Sequence, residues 1–194
     1  MKRGPHPFAG RSGMSSRCFA FLRAINVGGR TVRMDDLRRH FEDLGLDDVT
    51  TFIASGNVIF DARGPAGRQL ETRIEKHLAS RLGYEVATFL RSIDQLEAIT
   101  ASQPFPQSEL NAKESRLYVG FLRDVPGPAA LSALHALRSD TDSVDSVGRE
   151  VFWLSRTTSR ESPVSGARIE KAIGGPATLR NINTVNRLIA KYGE

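Results

Sequence analysis

At 194 residues, with 40% hydrophobic, 25% charged and 7% aromatic side chains, the chain fits one large domain or two small ones. That composition excludes collagen-like, coiled-coil and wholly disordered architectures, and no apolar run approaches the roughly 20 residues of a membrane-spanning helix. The net charge of +5 invites a nucleic-acid reading, yet seven of the 27 Lys and Arg precede the first acidic residue, Asp35, and the remainder is close to neutral.

Residues 1–16 are rich in Gly, Pro, Ser and Arg without apolar periodicity, which predicts a disordered basic tail. They lack the apolar stretch of a secretory signal, and Met14 offers an alternative start just before the first strand. The single cysteine, Cys18, cannot form an internal disulfide and points to a reducing, cytoplasmic compartment. Arg17–Ile25 is a short apolar run suited to a strand buried on both faces. After the turn Asn26-Val27-Gly28-Gly29, the spacing of Met34, Leu37, Phe41 and Leu44 predicts a helix closed by Gly45. Thr50–Ile53 and Val58–Phe60 read as strands joined by the turn-rich link Ala54-Ser55-Gly56-Asn57. Leu70, Ile74, Leu78 and Leu82 mark a second helix ending at Gly83, and Val86–Leu90 a fourth strand. The order βαββαβ is the split βαβ of a ferredoxin-like plait.

Ser92 and Gln95 form a capping box that opens a short helix through Leu96 and Ile99. Residues 104–116, polar and proline-bearing, read as a linker between a first subdomain (17–103) and a second (117–194). Leu117–Leu122 predicts a strand and Pro128 a helix start. Val144–Val147 and Val151–Leu154 flank Gly148-Arg149 as a hairpin. A helix over Ala167–Ile173 stops at Gly174-Gly175-Pro176, and a last helix carries Val185, Leu188, Ile189 and Tyr192. The fold class expected is therefore α+β, with two ferredoxin-like subdomains, the second having a C-terminal helix in place of its last strand.

In such a plait the first and third strands are antiparallel neighbours, so the end of one lies beside the start of the other. That geometry places Arg23, Asn26, Gly28 and Gly29 next to Ser55, Gly56 and Asn57, a corner of glycines, amides and charge suited to a phosphate or carboxylate. The bland alternative is a pair of tight turns whose Asn side chains tie down their own backbone. Thr178, Arg180, Asn181, Asn183 and Thr184 form a second group, with a helix N-cap and an anchoring arginine as the simple reading. Arg180, Asn181 and Thr184 join the candidate ligand-binding set. The four histidines are scattered without zinc-type spacing, and neither a metal nor a cofactor is implied. No nucleophile motif occurs, and Cys18 reads as a small core residue. Phe19 and Phe21 resemble the exposed aromatics of RNA-binding plaits, but the glycine-aromatic signature of those domains is missing. Three readings stand: a protein binding a small anionic or nucleotide-like ligand, an enzyme of transfer or hydrolysis chemistry, and an interaction module with RNA among its partners. Nothing points to a membrane partner.

Arg23-Ala-Ile-Asn-Val-Gly-Gly29, Ser55-Gly-Asn57 within FIASGNVIF, Pro104-Phe105 and Thr178-Leu-Arg-Asn-Ile-Asn-Thr184 together resemble the bacterial domain-of-unknown-function family numbered 1697. The resemblance runs from about Arg17 to the C-terminus. It implies two ferredoxin-like subdomains and no particular activity. Two departures fall in the second half: Pro163 follows Ser162 where the family carries a lysine, and Ile182 replaces its usual tryptophan.

Overall fold

The computed structural model describes residues 15–26, 28–64, 66–102, 104–157 and 162–193. The expected basic tail therefore lies outside the described residues, apart from its last two positions, which begin the first strand. The first half runs β1 (Ser15–Leu22), α1 (Met34–Glu42), β2 (Asp47–Phe52), β3 (Asn57–Arg63), α2 (Arg68–Leu82), β4 (Thr88–Ser92) and α3 (Ile93–Ala101). A short α4 (Gln107–Leu110) precedes β5 (Arg116–Phe121), α5 (Pro128–His135), β6 (Asp142–Val147), β7 (Glu150–Ser155), α6 (Gly166–Ile173), β8 (Thr178–Asn181) and α7 (Ile182–Tyr192). The two antiparallel sheets have the same order, β2-β3-β1-β4 and β6-β7-β5-β8. The α+β class and the two split-βαβ subdomains are thus as expected.

One expectation fails. The second sheet has its fourth strand, β8, and α7 follows it rather than replacing it. The reason is a reversed pattern: along Thr178–Asn181 the buried positions are Thr178 and Arg180. A strand that points polar side chains inward gives no hydrophobic alternation to read. Elsewhere local signals hold. Ser92 accepts from the Gln95 amide and Gln95 returns the bond to the Ser92 amide, forming the capping box that starts α3. Pro128 opens α5, and Gly174 at φ 68° closes α6 in the left-handed conformation a glycine adopts freely.

Period-two alternation along β1 splits its side chains between two cores. Cys18, Ala20 and Leu22 pack with Leu37, Phe41, Ile74 and Leu78 of α1 and α2. Phe19 and Phe21 point the other way, into a cluster shared with Val119 and Phe121 of β5 and Phe152 of β7. The sheets therefore lie face to face, with Phe21 stacked on Phe121 at 3.9 Å between ring centroids. Leu96 and Ile99 of α3, with Val185 and Leu188 of α7, join this central cluster, and the two helices touch. A third core, with Leu134 and Ile169, fills the space under α5 and α6. Phe105, in the expected linker, is buried in the central cluster. The sheet face that an RNA-binding plait presents to bases is here the seam between subdomains.

The halves also match in register. Phe21 pairs with Asn57 as Phe121 pairs with Glu150, and Phe19 faces Arg91 as Val119 faces Arg180. Arg91 on β4 and Arg180 on β8 thus occupy equivalent places, each reaching across the seam into the other subdomain.

Candidate functional site

The topology does bring the two expected turns together. Leu22 donates its amide to the Gly56 carbonyl at 2.8 Å, and Asn26 Nδ2 donates to the Ala54 carbonyl at 3.3 Å. Asn26 Oδ1 accepts from the Val32 amide at 2.7 Å and so ties down its own loop. Gly56 must be glycine: its φ is 75°, and a Cβ there would sit 2.7 Å from Ile25 Cγ2. Gly28 and Gly29 form an exposed turn with left-handed φ values of 67° and 81°.

Arg180 fills the corner from the other subdomain. Its Nε donates to Asn57 Oδ1 at 2.6 Å, its Nη1 to Thr178 Oγ1 and the Leu179 carbonyl, both at 2.8 Å. Its Nη2 reaches the carbonyls of Ser55 (2.7 Å), Leu22 (3.0 Å) and Gly56 (3.3 Å). Asn57 completes the net by donating Nδ2 to the Phe52 carbonyl and Ser55 Oγ. Asn57 is 1% exposed and Arg180 8%. This corrects the corner as a ligand pocket: Ser55, Gly56, Asn57 and Arg180 are partners of one another, because a buried guanidinium needs every acceptor within reach. Asn181 caps α7 by accepting from the Asn183 amide at 2.9 Å, and Thr184 is half-buried in that helix's first turn.

Arg23 alone of that set faces an open cleft. Ala24, at φ 53°, bends the chain directly after it. The Arg23 guanidinium grips Glu170 of α6 with Nε and Nη2, the latter at 2.8 Å from Oε2. Its equivalent at the end of β5, Arg123, pairs in turn with Glu75 of α2. Each carboxylate is held from behind by an amide of its own subdomain, Glu75 by Thr88 (2.8 Å) and Glu170 by Ala177 (2.9 Å). These reciprocal crossings are what an approximate twofold relation produces. They border a cleft of about 660 Å³ that Lys76, Glu85 and Pro176 also line. Arg123 Nε is buried without a partner among the described residues. The carboxylate partner raises the Arg23 guanidinium above its ordinary value. Burial pushes the Glu170 carboxyl up, but the bonds from Arg23 and the Ala177 amide outweigh it and hold the group below the ordinary range.

Sequence reasoning missed Arg123, Glu75 and Glu170. A signal for the arginines was present: Phe-Leu-Arg stands at 21–23 and again at 121–123. The glutamates sit on helices and carry no local mark of their partners. Burial drives the Cys18 thiol up to about 11, as expected of a core residue rather than a nucleophile. Ser162, at the expected departure from the family pattern, donates to the buried Asp142 at 2.7 Å.

Fold and cleft define a class: an α+β protein of two ferredoxin-like subdomains clasped face to face, with arginines exchanged across a central opening. The family described as "Protein of unknown function (DUF1697)" matches residues 15–152, and the chain belongs to that family. The solved structure of the conserved bacterial protein SP0830 from Streptococcus pneumoniae shares this fold, with a TM-score of 0.73 at 19% identity, over 93% of this chain and 100% of that one. No curated protein matches the chain. No helix among the described residues is long and apolar enough to cross a membrane.

Proposed function

We propose that the protein binds a small anionic ligand in the cleft between its subdomains, with Arg23 as the first contact. One observation carries this reading: two guanidinium groups, one from each subdomain, border a single cleft, and Arg23 keeps 44% of its side chain exposed. Lys76 adds a third cation against Glu75, Glu85 and Glu170. Because Glu75 and Glu170 already accept backbone amides, an anion that draws an arginine away does not strand either carboxylate. Among the described residues that line the cleft none is aromatic, so these offer a nucleotide-like ligand no stacking surface, and recognition rests on its anionic group.

Calorimetric titration with inorganic phosphate, pyrophosphate and citrate tests the reading on the full chain. At least one probe should bind saturably, and Arg23→Ala should weaken it about tenfold or more, the loss of a charge-assisted hydrogen bond. Asn181→Ala, remote from the cleft, should bind like wild type. Failure of all three anions at millimolar concentration, or equal affinity in Arg23→Ala, would remove the proposal.

A further inference from the structure

The four histidines are far apart in sequence, but the packing of α1 on α2 brings two of them together. His40 on α1 and His77 on α2 meet edge to face with ring centroids 6.0 Å apart. Asp43, one turn on from His40 and so on the same helix face, completes the group. A ring nitrogen of each histidine and a carboxylate oxygen of Asp43 all lie within 4.8 Å of one another. His77 carries a second, independent mark: its Nε2 is buried and has no hydrogen-bond partner among the described residues. A shielded, unpartnered ring nitrogen is costly, and coordination through it would remove the cost.

We infer that His40, Asp43 and His77 form a binding site for a borderline divalent cation of the zinc class, bridging α1 and α2. Two imidazoles and one carboxylate suit zinc, nickel or copper and disfavour magnesium or calcium, which take oxygen ligands. Ligand atoms around a tetrahedral zinc stand roughly 3.4 Å apart, and with all three separations already within 4.8 Å the side chains need close by little more than an ångström at most. Arg81 competes at present, its Nη2 lying 3.3 Å from Asp43 Oδ2. Both side chains are about half exposed, and an exposed pair of this kind is easily broken, so the cation displaces the arginine into solvent. Three protein ligands leave a fourth position. A groove of about 630 Å³, lined by His40 and Asp43 together with Arg33, Asp36 and Arg39, adjoins them and gives a water or a ligand atom access to it.

The test uses the untagged full chain, stripped of metal with a chelator, and zinc alone as the probe. Wild type should bind one equivalent by calorimetry with micromolar or tighter affinity, and its thermal midpoint should rise by several degrees. His40→Gln and His77→Gln should each weaken binding at least tenfold, Asp43→Asn by less, and His135→Gln not at all. Should a substitution prevent folding, the imidazole nitrogen shifts of the wild-type protein decide the matter: zinc must move those of His40 and His77 and leave His135 in place. Absence of saturable binding, undiminished affinity in both glutamine variants, or shifts confined to other histidines would overturn the site. None of these results depends on whether the central cleft binds an anion.

Discussion

Two arginines in equivalent places solve the same problem with different chemistry. Arg91 is 1% exposed and donates Nε to Glu150 at 2.7 Å, Nη1 to the Leu90 carbonyl and Nη2 to that of Leu122. Arg180 makes the matching bonds to Leu179 and Leu22, but Asn57 stands where Glu150 would. One buried cation has a counter-charge; the other, among the described residues, has only dipoles. The difference shows in their basicity: burial lowers both, Glu150 works against the fall at Arg91, and Arg180 drops to about 10. Six hydrogen bonds to neutral acceptors thus suffice to hold a guanidinium in a protein seam, at a real electrostatic cost.

The sharpest way to break the comparison is Arg180→Met. It takes the guanidinium from Asn57 Oδ1 and the Ser55 carbonyl, leaves the Gly56 and Leu22 carbonyls only their bonds from the Leu22 amide and Thr178 Oγ1, and should cost about 3–5 kcal/mol in urea denaturation. A loss under 1 kcal/mol would mean the net contributes little beyond filling space. The cost of keeping Arg180 charged is constant with pH below about 10. Its folded-state value is depressed, so the unfolded chain binds more protons above that point, and this group's contribution to stability rises with pH there.

Glu150→Gln is the next largest, converting the first node to the chemistry of the second. Arg91 keeps its carbonyl partners and loses its counter-charge, so a loss of about 1–3 kcal/mol is expected. An unchanged midpoint would show that dipoles serve as well as a carboxylate.

The acid limb provides the smallest effect. Burial raises Asp142, but bonds from Trp153 (2.6 Å), Ser162 (2.7 Å) and Thr141 (2.8 Å) outweigh it and hold the carboxyl below its ordinary value. A carboxyl depressed on folding stabilises the protein above its unfolded value and ceases to as pH falls through the lower folded one. Asp142→Asn should therefore flatten the decline of stability below about pH 4 and cost roughly 1–2 kcal/mol at neutrality. A decline equally steep in the variant would assign acid sensitivity elsewhere.

Much of the fold was legible because its signals are local. The hairpin turn at Gly56, the capping box at Ser92, Pro128 at a helix start and Gly174 at a helix stop each act within a few residues. β8 was illegible because Thr178 and Arg180 face inward. The candidate corner was legible as an encounter of two turns but not as a filled one, since the filling side chain comes from 123 residues away. The cleft was legible only through Arg23, and the pairing of His40 with His77 not at all.

Helix and strand periodicity, turns and caps are set by neighbours along the chain, so local pattern was enough for the βαββαβ order of the first half, the α+β class of both halves and the membership of a family. Which face of β1 meets helices and which meets the other sheet, where each arginine finds its acceptors, and which histidines become neighbours were decided only in three dimensions. Those choices depend on contacts between residues far apart in sequence, and no local preference encodes the partner.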